Sequence, residues 1–302
     1  MGSLRKSLFG VGLLLLFSCF CACKVSDDAV AAAQQMTATA TALTSYYAAI
    51  ADSLTDTIAL NELDATLSKI PFDSAERKPI EETRSEILKR KDLAQSLAKL
   101  ASGMTRLSVS TAPADVQTAA ASLGNELVSV KALPGGSPVP DALGKAGNLL
   151  LRLIQQRKEK DAAQAMDQTL AAMVALFEKE EPTYDSIART HLFQASQVAT
   201  DLISRKAVDP TSMLTPALKP FGLTALQPDP QFQQALRQLE LTRLQSTAQD
   251  STQHEIEASA AMLSALQEMS SRVHLLATEK PMPIRGNPFS LKTVESWANS
   301  MI

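Results

Sequence analysis

Apolar residues recur at helical spacing in the first third of the chain. Leu93, Leu97, Leu100, Met104 and Leu107 follow one another at intervals of four, three, four and three residues. Because an α-helix has about 3.6 residues per turn, these intervals place the side chains on one face. The pattern predicts an amphipathic helix that packs against others, either in an ordinary bundle seam or as a coiled coil.

The composition favours helices for the rest of the chain. Aromatic residues make up only 4% of the sequence, and glycine contributes 11 of 302 residues. The core must therefore be built mainly from Leu, Ala, Met and Ile, as is usual where helices pack on helices. We predict an all-α fold, an elongated bundle of about six long antiparallel helices with a proline-rich loop and a short C-terminal helix.

Prolines and capping residues mark the boundaries of the predicted helices. These helices cover about residues 26–70, 74–107, 113–130, 141–181, 183–206, 230–279 and 290–301. Residues 37–42 alternate Thr with Ala, so a strand or a disordered tether remains an alternative there. The segment 134–140 either separates two subdomains or turns one hairpin, and the proline-rich loop 209–230 is expected to pack against the bundle.

The N-terminus has the order of a secretory signal, since Arg5 and Lys6 precede an apolar stretch of 16 residues from Leu8 to Cys23. This stretch is shorter than the roughly 20 residues that a membrane-spanning helix needs. We therefore predict a cleaved signal peptide over residues 1–22, with an uncleaved single-pass anchor as the alternative. All three cysteines lie close together in this stretch, which argues against a disulfide framework.

Residues 20–23, Phe-Cys-Ala-Cys, resemble the lipobox of bacterial lipoprotein precursors, in which a small residue precedes the cysteine that becomes acylated. The resemblance makes Cys23 the lipid-bearing residue. Residues 16–19, Leu-Phe-Ser-Cys, also fit and make Cys19 the alternative. Lys24 follows Cys23, and in a host with two membranes the resemblance then implies the outer rather than the inner membrane. The mature chain, residues 23–302, is expected in the bacterial cell envelope.

The net charge of the chain limits the classes of partner that it can bind. Cleavage before Cys23 removes the two cations of the signal, so the formal charge changes from −3 to −5. Nucleic acids require a concentrated basic surface, and the basic stretch 89–91 is diluted by Glu86 and Asp92. We interpret that stretch as a solvated helix face. The expected partners are a lipid bilayer, through the acylated cysteine, and an envelope protein, but no nucleic acid.

Few residues suggest metal or acid–base chemistry, and no cofactor is expected. The histidines are His191, predicted to be structural, and His254 and His274, which would lie about 30 Å apart on one straight helix. The acidic run 178–181 could form a carboxylate pair. The simpler interpretation is that Pro182 starts a helix whose N-terminal dipole favours negative charge.

Two further features are candidate sites. Gly135 and Gly136 lack the rest of a P-loop or dinucleotide fingerprint and predict a turn. Trp297, the single tryptophan, is expected to dock on the bundle, with contact to a bilayer or a partner as the alternatives.

The resulting hypothesis is a non-enzymatic, membrane-tethered helical bundle that binds or scaffolds another envelope component. The sequence contains no H-E-x-x-H, P-loop or G-x-S-x-G motif. Two alternatives come from other classes, a membrane-active protein like the helical pore-forming toxins and an enzyme whose site is assembled from scattered residues. The mature region has no apolar stretch near 18 residues, which weighs against the first alternative.

Overall fold

The computed structural model describes most of the chain from residue 27 onward. The described residues are 27–107, 113–134, 136, 138–156, 160–208, 219–221, 230–278 and 289–301. The predicted signal peptide and both candidate lipidation sites, Cys19 and Cys23, lie outside these residues, as does most of the proline-rich loop 209–230.

Seven α-helices form the described part of the chain, and no strand occurs in it. The all-α prediction is confirmed. The helices are α1 (Asp27–Ser68), α2 (Ser74–Leu107), α3 (Pro113–Ser129), α4 (Asp141–Gln156), α5 (Lys160–Ser204), α6 (Pro230–Ala277) and α7 (Phe289–Met301), with a short 3-10 helix at Lys219–Phe221.

Helix α1 lies at the centre of the bundle, where it packs against α2, α5, α6 and α7. The chain then continues from neighbour to neighbour, since α2 packs on α3, α3 on α4, α4 on α5, and α5 on α6. Buried side chains from all seven helices form one apolar cluster, which therefore continues across residues 134–140. The predicted stripe of α2 faces this cluster, because Leu93, Leu97 and Leu100 are buried.

The alternation of Thr and Ala in α1 is compatible with a regular helix. The hydroxyls of Thr37, Thr41 and Thr44 donate to the carbonyls of Ala33, Thr37 and Ala40, each four residues earlier. These bonds satisfy the hydroxyls inside the helix, so they do not compete with it for a turn conformation. The small side chains of Ala40 and Ala49 are fully buried and let neighbouring helices approach closely.

A tight turn joins α1 to α2. Lys69 ends α1 with a φ of 60°, in the left-handed region that terminates many helices. Asp73 caps α2, because its side chain accepts a hydrogen bond from the Ala75 amide at 3.2 Å. The side chain of Arg205, just after α5, donates to the carbonyl of Leu67 at 2.7 Å. The turn is thus held beside the C-terminal end of α5.

The predicted helix boundary at Pro182 is wrong. Helix α4 ends at Gln156 and α5 begins at Lys160. Helix α5 then continues through Pro182 and ends at Ser204. An interior proline lacks the amide that would bond to the carbonyl four residues earlier and costs about 3 kcal/mol. Phe177 and Tyr184 are fully buried on either side of it, so packing holds the helix together.

The close contact of α3 and α4 gives a test of the packing. A β-carbon on Gly147 would lie 2.8 Å from the carbonyl oxygen of Gly124 and 3.0 Å from the β-carbon of Leu127. We expect Gly147→Ala to lower the free energy of unfolding by about 1–3 kcal/mol, because backbone must move. Gly144, on the same helix, has no neighbouring atom within 4 Å of the point where a β-carbon would lie, so Gly144→Ala should raise the free energy of unfolding by about 0.5–1 kcal/mol. Urea denaturation followed by circular dichroism measures both, and equal effects would contradict the packing.

Candidate functional site

A buried ion pair joins α2 to α5. Arg90 is fully buried and Glu180 is 2% exposed. The guanidinium of Arg90 donates to both carboxylate oxygens of Glu180, at 2.6 Å from Nε. Its remaining donors bind the carbonyls of Glu86 and Lys131, each at 2.8 Å. Burial lowers the pKa of Arg90, but the hydrogen bonds to Glu180 and the charge of its carboxylate outweigh this effect, so the net pKa is raised.

This arrangement corrects two predictions. Arg90 does not belong to a solvated basic face, because it is the most deeply buried cation of the stretch 89–91. Glu180 does not lie at a helix N-terminus, because α5 passes through Pro182. The carboxylates of the acidic run 178–181 also do not form a pair. Glu180 binds Arg90, whereas Glu178 accepts a hydrogen bond from Gln267 on α6 at 2.8 Å.

Aromatic rings surround the ion pair. Tyr46, Tyr47, Phe177, Tyr184 and Trp297 form one cluster with ring centroids 5.0 to 6.4 Å apart. The hydroxyl of Tyr184 donates to Glu180, and that of Tyr46 lies 2.9 Å from the hydroxyl oxygen of Ser259. Trp297 is 3% exposed, so its predicted docking on the bundle is confirmed. Burial raises the pKa of all three tyrosines, which keeps them protonated at neutral pH.

A second acidic group lies unpaired between α5 and α6. Glu255 is fully buried, and neither of its carboxylate oxygens has a hydrogen-bond partner in the described chain when the group is ionised. Oδ1 of Asp185 also lacks one. A proton on Glu255 allows it to donate to Asp185. Burial, this bond and the charge of Asp185 raise the pKa of Glu255 to about 8, although Arg189 opposes the shift.

The histidines are separated. His191 is half-buried on α5, with Nε2 at 3.9 Å from a carboxylate oxygen of Asp56, and burial lowers its pKa. His274 bonds Asp167 through Nδ1 at 3.0 Å. His254 is exposed. No group of three or more His, Cys, Asp or Glu side chains within the described residues is arranged to hold a metal ion.

A groove opens at the turn between α1 and α2, with a volume of about 410 Å³. We call it the turn groove. Its lining residues are Asn61, Asp64, Ala65, Ser68, Ile70, Pro71, Phe72, Glu76, Ile80 and Gln194. The groove therefore combines the end of α1, the turn, the start of α2 and one residue of α5.

The turn groove displays apolar side chains next to solvent. Ile70 is 68% exposed, and Phe193, the neighbour of the lining residue Gln194, is 62% exposed. Neither His191 nor the acidic run 178–181 lines the groove. Sequence reasoning missed this site because its residues lie on three helices, and the exposed isoleucine in a turn was the only local signal for it.

No family model, curated protein or solved structure matches the chain. Within the described residues, none of the helices combines the length and hydropathy needed to span a bilayer.

The ion pair predicts that replacing one partner lowers the free energy of unfolding more than replacing both. We expect Glu180→Met to lower the free energy of unfolding by about 3–5 kcal/mol, because Arg90 would stay buried without its partner. The double variant Arg90→Met with Glu180→Met should be more stable than Glu180→Met alone. Glu62→Gln serves as the control, since Glu62 pairs with Arg77 at 2.7 Å on the surface and should cost less than about 1 kcal/mol. Additive effects of the two core substitutions would contradict a coupled pair.

The buried acid predicts that stability falls as pH rises. The folded chain retains a proton on Glu255 up to about pH 8, whereas an unfolded glutamate releases it near pH 4.5. The free energy of unfolding should therefore decrease between these values, by about 5 kcal/mol if the whole shift is realised. Glu255→Gln should flatten this part of the profile, and Glu257→Gln, an exposed change on the same helix, should not. Parallel profiles for both variants would show that Glu255 is not responsible.

Proposed function

We propose that the chain is a lipid-anchored protein of the bacterial cell envelope whose helical bundle binds another envelope component through the turn groove. The observation that carries this proposal is the exposure of Ile70 at the edge of a concave, partly apolar surface. Apolar side chains exposed beside a groove are typical of surfaces that bind a protein.

The length of α1 supports the same proposal. The helix begins four residues after Cys23 and has 42 residues, so it extends about 60 Å. In the sequence the proposed lipid anchor precedes the first residue of this helix, and the turn groove lies at the other end of the helix. Such a helix acts as a spacer, which would hold the groove away from the membrane that carries the anchor.

The polar groups at the centre of the bundle support a binding function rather than a catalytic one. Glu180 is held by Arg90 and Tyr184, and the hydroxyl of Tyr46 pairs with Ser259. The three phenols stay protonated, so none of them can act as a base at neutral pH. These groups are engaged with one another, and such pairing is expected of a structural core.

Photo-crosslinking in the host cell tests the proposal. Phe72, which lines the groove, is replaced by photoreactive benzoylphenylalanine, and Leu239, 54% exposed on α6, is replaced in a control strain. We expect a covalent adduct with one envelope protein from position 72 and none from position 239. Mass spectrometry of the mature N-terminus should show acylated Cys23, and Cys23→Ser should release the chain from the membrane fraction.

Three results would contradict the proposal. One is the absence of an adduct at position 72 in cells where the chain is folded and anchored. Another is an equal adduct at both positions, which would indicate random collision. The third is an N-terminus that still carries the uncleaved signal without a lipid. Leakage of dye from liposomes exposed to the purified chain would favour the membrane-active alternative instead.

A further inference from the structure

Two carboxylates line the turn groove. Asp64 and Glu76 line the groove, and neither forms an ion pair within the described residues. The buried Oε1 atom of Gln194 also has no hydrogen-bond donor there. A ligand that supplies positive charge and N–H donors would pair with both carboxylates.

The cations near the groove do not neutralise these carboxylates. Arg77 is bound to Glu62 and Glu81, at 2.7 and 2.8 Å. Arg205 lies 3.9 Å from Asp201 and donates to a backbone carbonyl of α1. Lys69 is exposed and is not among the residues that line the groove. The groove therefore keeps a negative charge of its own.

Apolar side chains complete the lining. Ile70, Phe72 and Ile80 lie beside the two carboxylates, and Ala65 and Pro71 add further apolar surface. A volume of about 410 Å³ accommodates a few side chains rather than a whole domain. A small cation alone would leave the apolar part of this lining exposed.

From this lining we infer that the occupant of the turn groove is an amphipathic segment of a partner protein that carries Lys or Arg beside apolar residues. Its apolar side chains pack on Ile70 and Phe72, and its cations pair with Asp64 and Glu76. The inference rests on the proposed function and names the chemistry of the partner. An anionic lipid surface is disfavoured, since it would be repelled by the two carboxylates.

Peptide binding to the full lipidated chain in phosphatidylcholine nanodiscs tests the inference. The probe is a fluorescein-labelled helical peptide of Leu and Lys, and binding is followed by fluorescence anisotropy. We expect Asp64→Asn with Glu76→Gln to weaken binding about three- to tenfold, because two ion pairs are lost. Ile70→Ser should weaken it too, through lost apolar contact.

Matched variants control for net charge and for the loss of an exposed apolar side chain. Asp52→Asn with Glu295→Gln removes the same charge from two exposed positions outside the groove and should leave binding within about twofold. Leu239→Ser is the control for Ile70→Ser. A peptide of Leu and Glu should show no saturable binding. Circular dichroism confirms that each variant is folded.

The inference fails if the groove variants and their controls bind the Lys peptide equally, or if the Glu peptide binds as well. In either case an adduct at position 72 would leave the proposed function standing. Saturable, charge-dependent peptide binding without any adduct in cells would instead contradict the proposed function. It would still support a turn groove that binds cationic amphipathic segments. An adduct of twice the chain mass, or one that carries lipid, would replace the partner protein by a second copy or a bilayer and overturn the inference.

Discussion

The bond between Arg90 and Glu180 is the constraint on which the rest of the bundle depends. The core around it consists mainly of Leu, Ala and Met, whose apolar contacts are not directional. A buried guanidinium and carboxylate can pair in only one register. Because Arg90 also binds the carbonyl of Lys131, the same residue fixes α2, α5 and the end of α3 relative to one another.

Much of this fold could be predicted from local patterns. The stripe through Leu93, Leu97 and Leu100 identified a buried helix face, and the boundaries near Pro71 and Pro113 agree with the observed helices. Pro182 was misleading, because the packing of Phe177 and Tyr184 against the bundle outweighs the local preference of proline. That packing depends on residues far away in the chain, which a local pattern does not contain.

The sequence contains a local signal for the buried charges Arg90 and Glu255. Arg90 falls between Ile87 and Leu93 at helical spacing, and Glu255 is followed at the same spacing by Ala258 and Met262, so each charge lies on an apolar stripe. A charge in such a position indicates a buried partner but not its identity. Arg90 and Glu180 are 90 residues apart, and only the folded chain brings them together. The turn groove gave no periodic signal, because its residues come from three helices and a turn.

The central position of α1 has a consequence for the order in which the molecule can form. Tyr46 on α1 packs on Trp297 of α7 at 5.0 Å, although these residues are about 250 positions apart in the chain. Because a chain is synthesised from its N-terminus, α1 would be the first helix made and the last to have its apolar face fully covered. Through this interval α1 would depend on a holding chaperone or on transient self-association. The speed of synthesis, rather than the final stability of the bundle, would then limit the yield of folded protein.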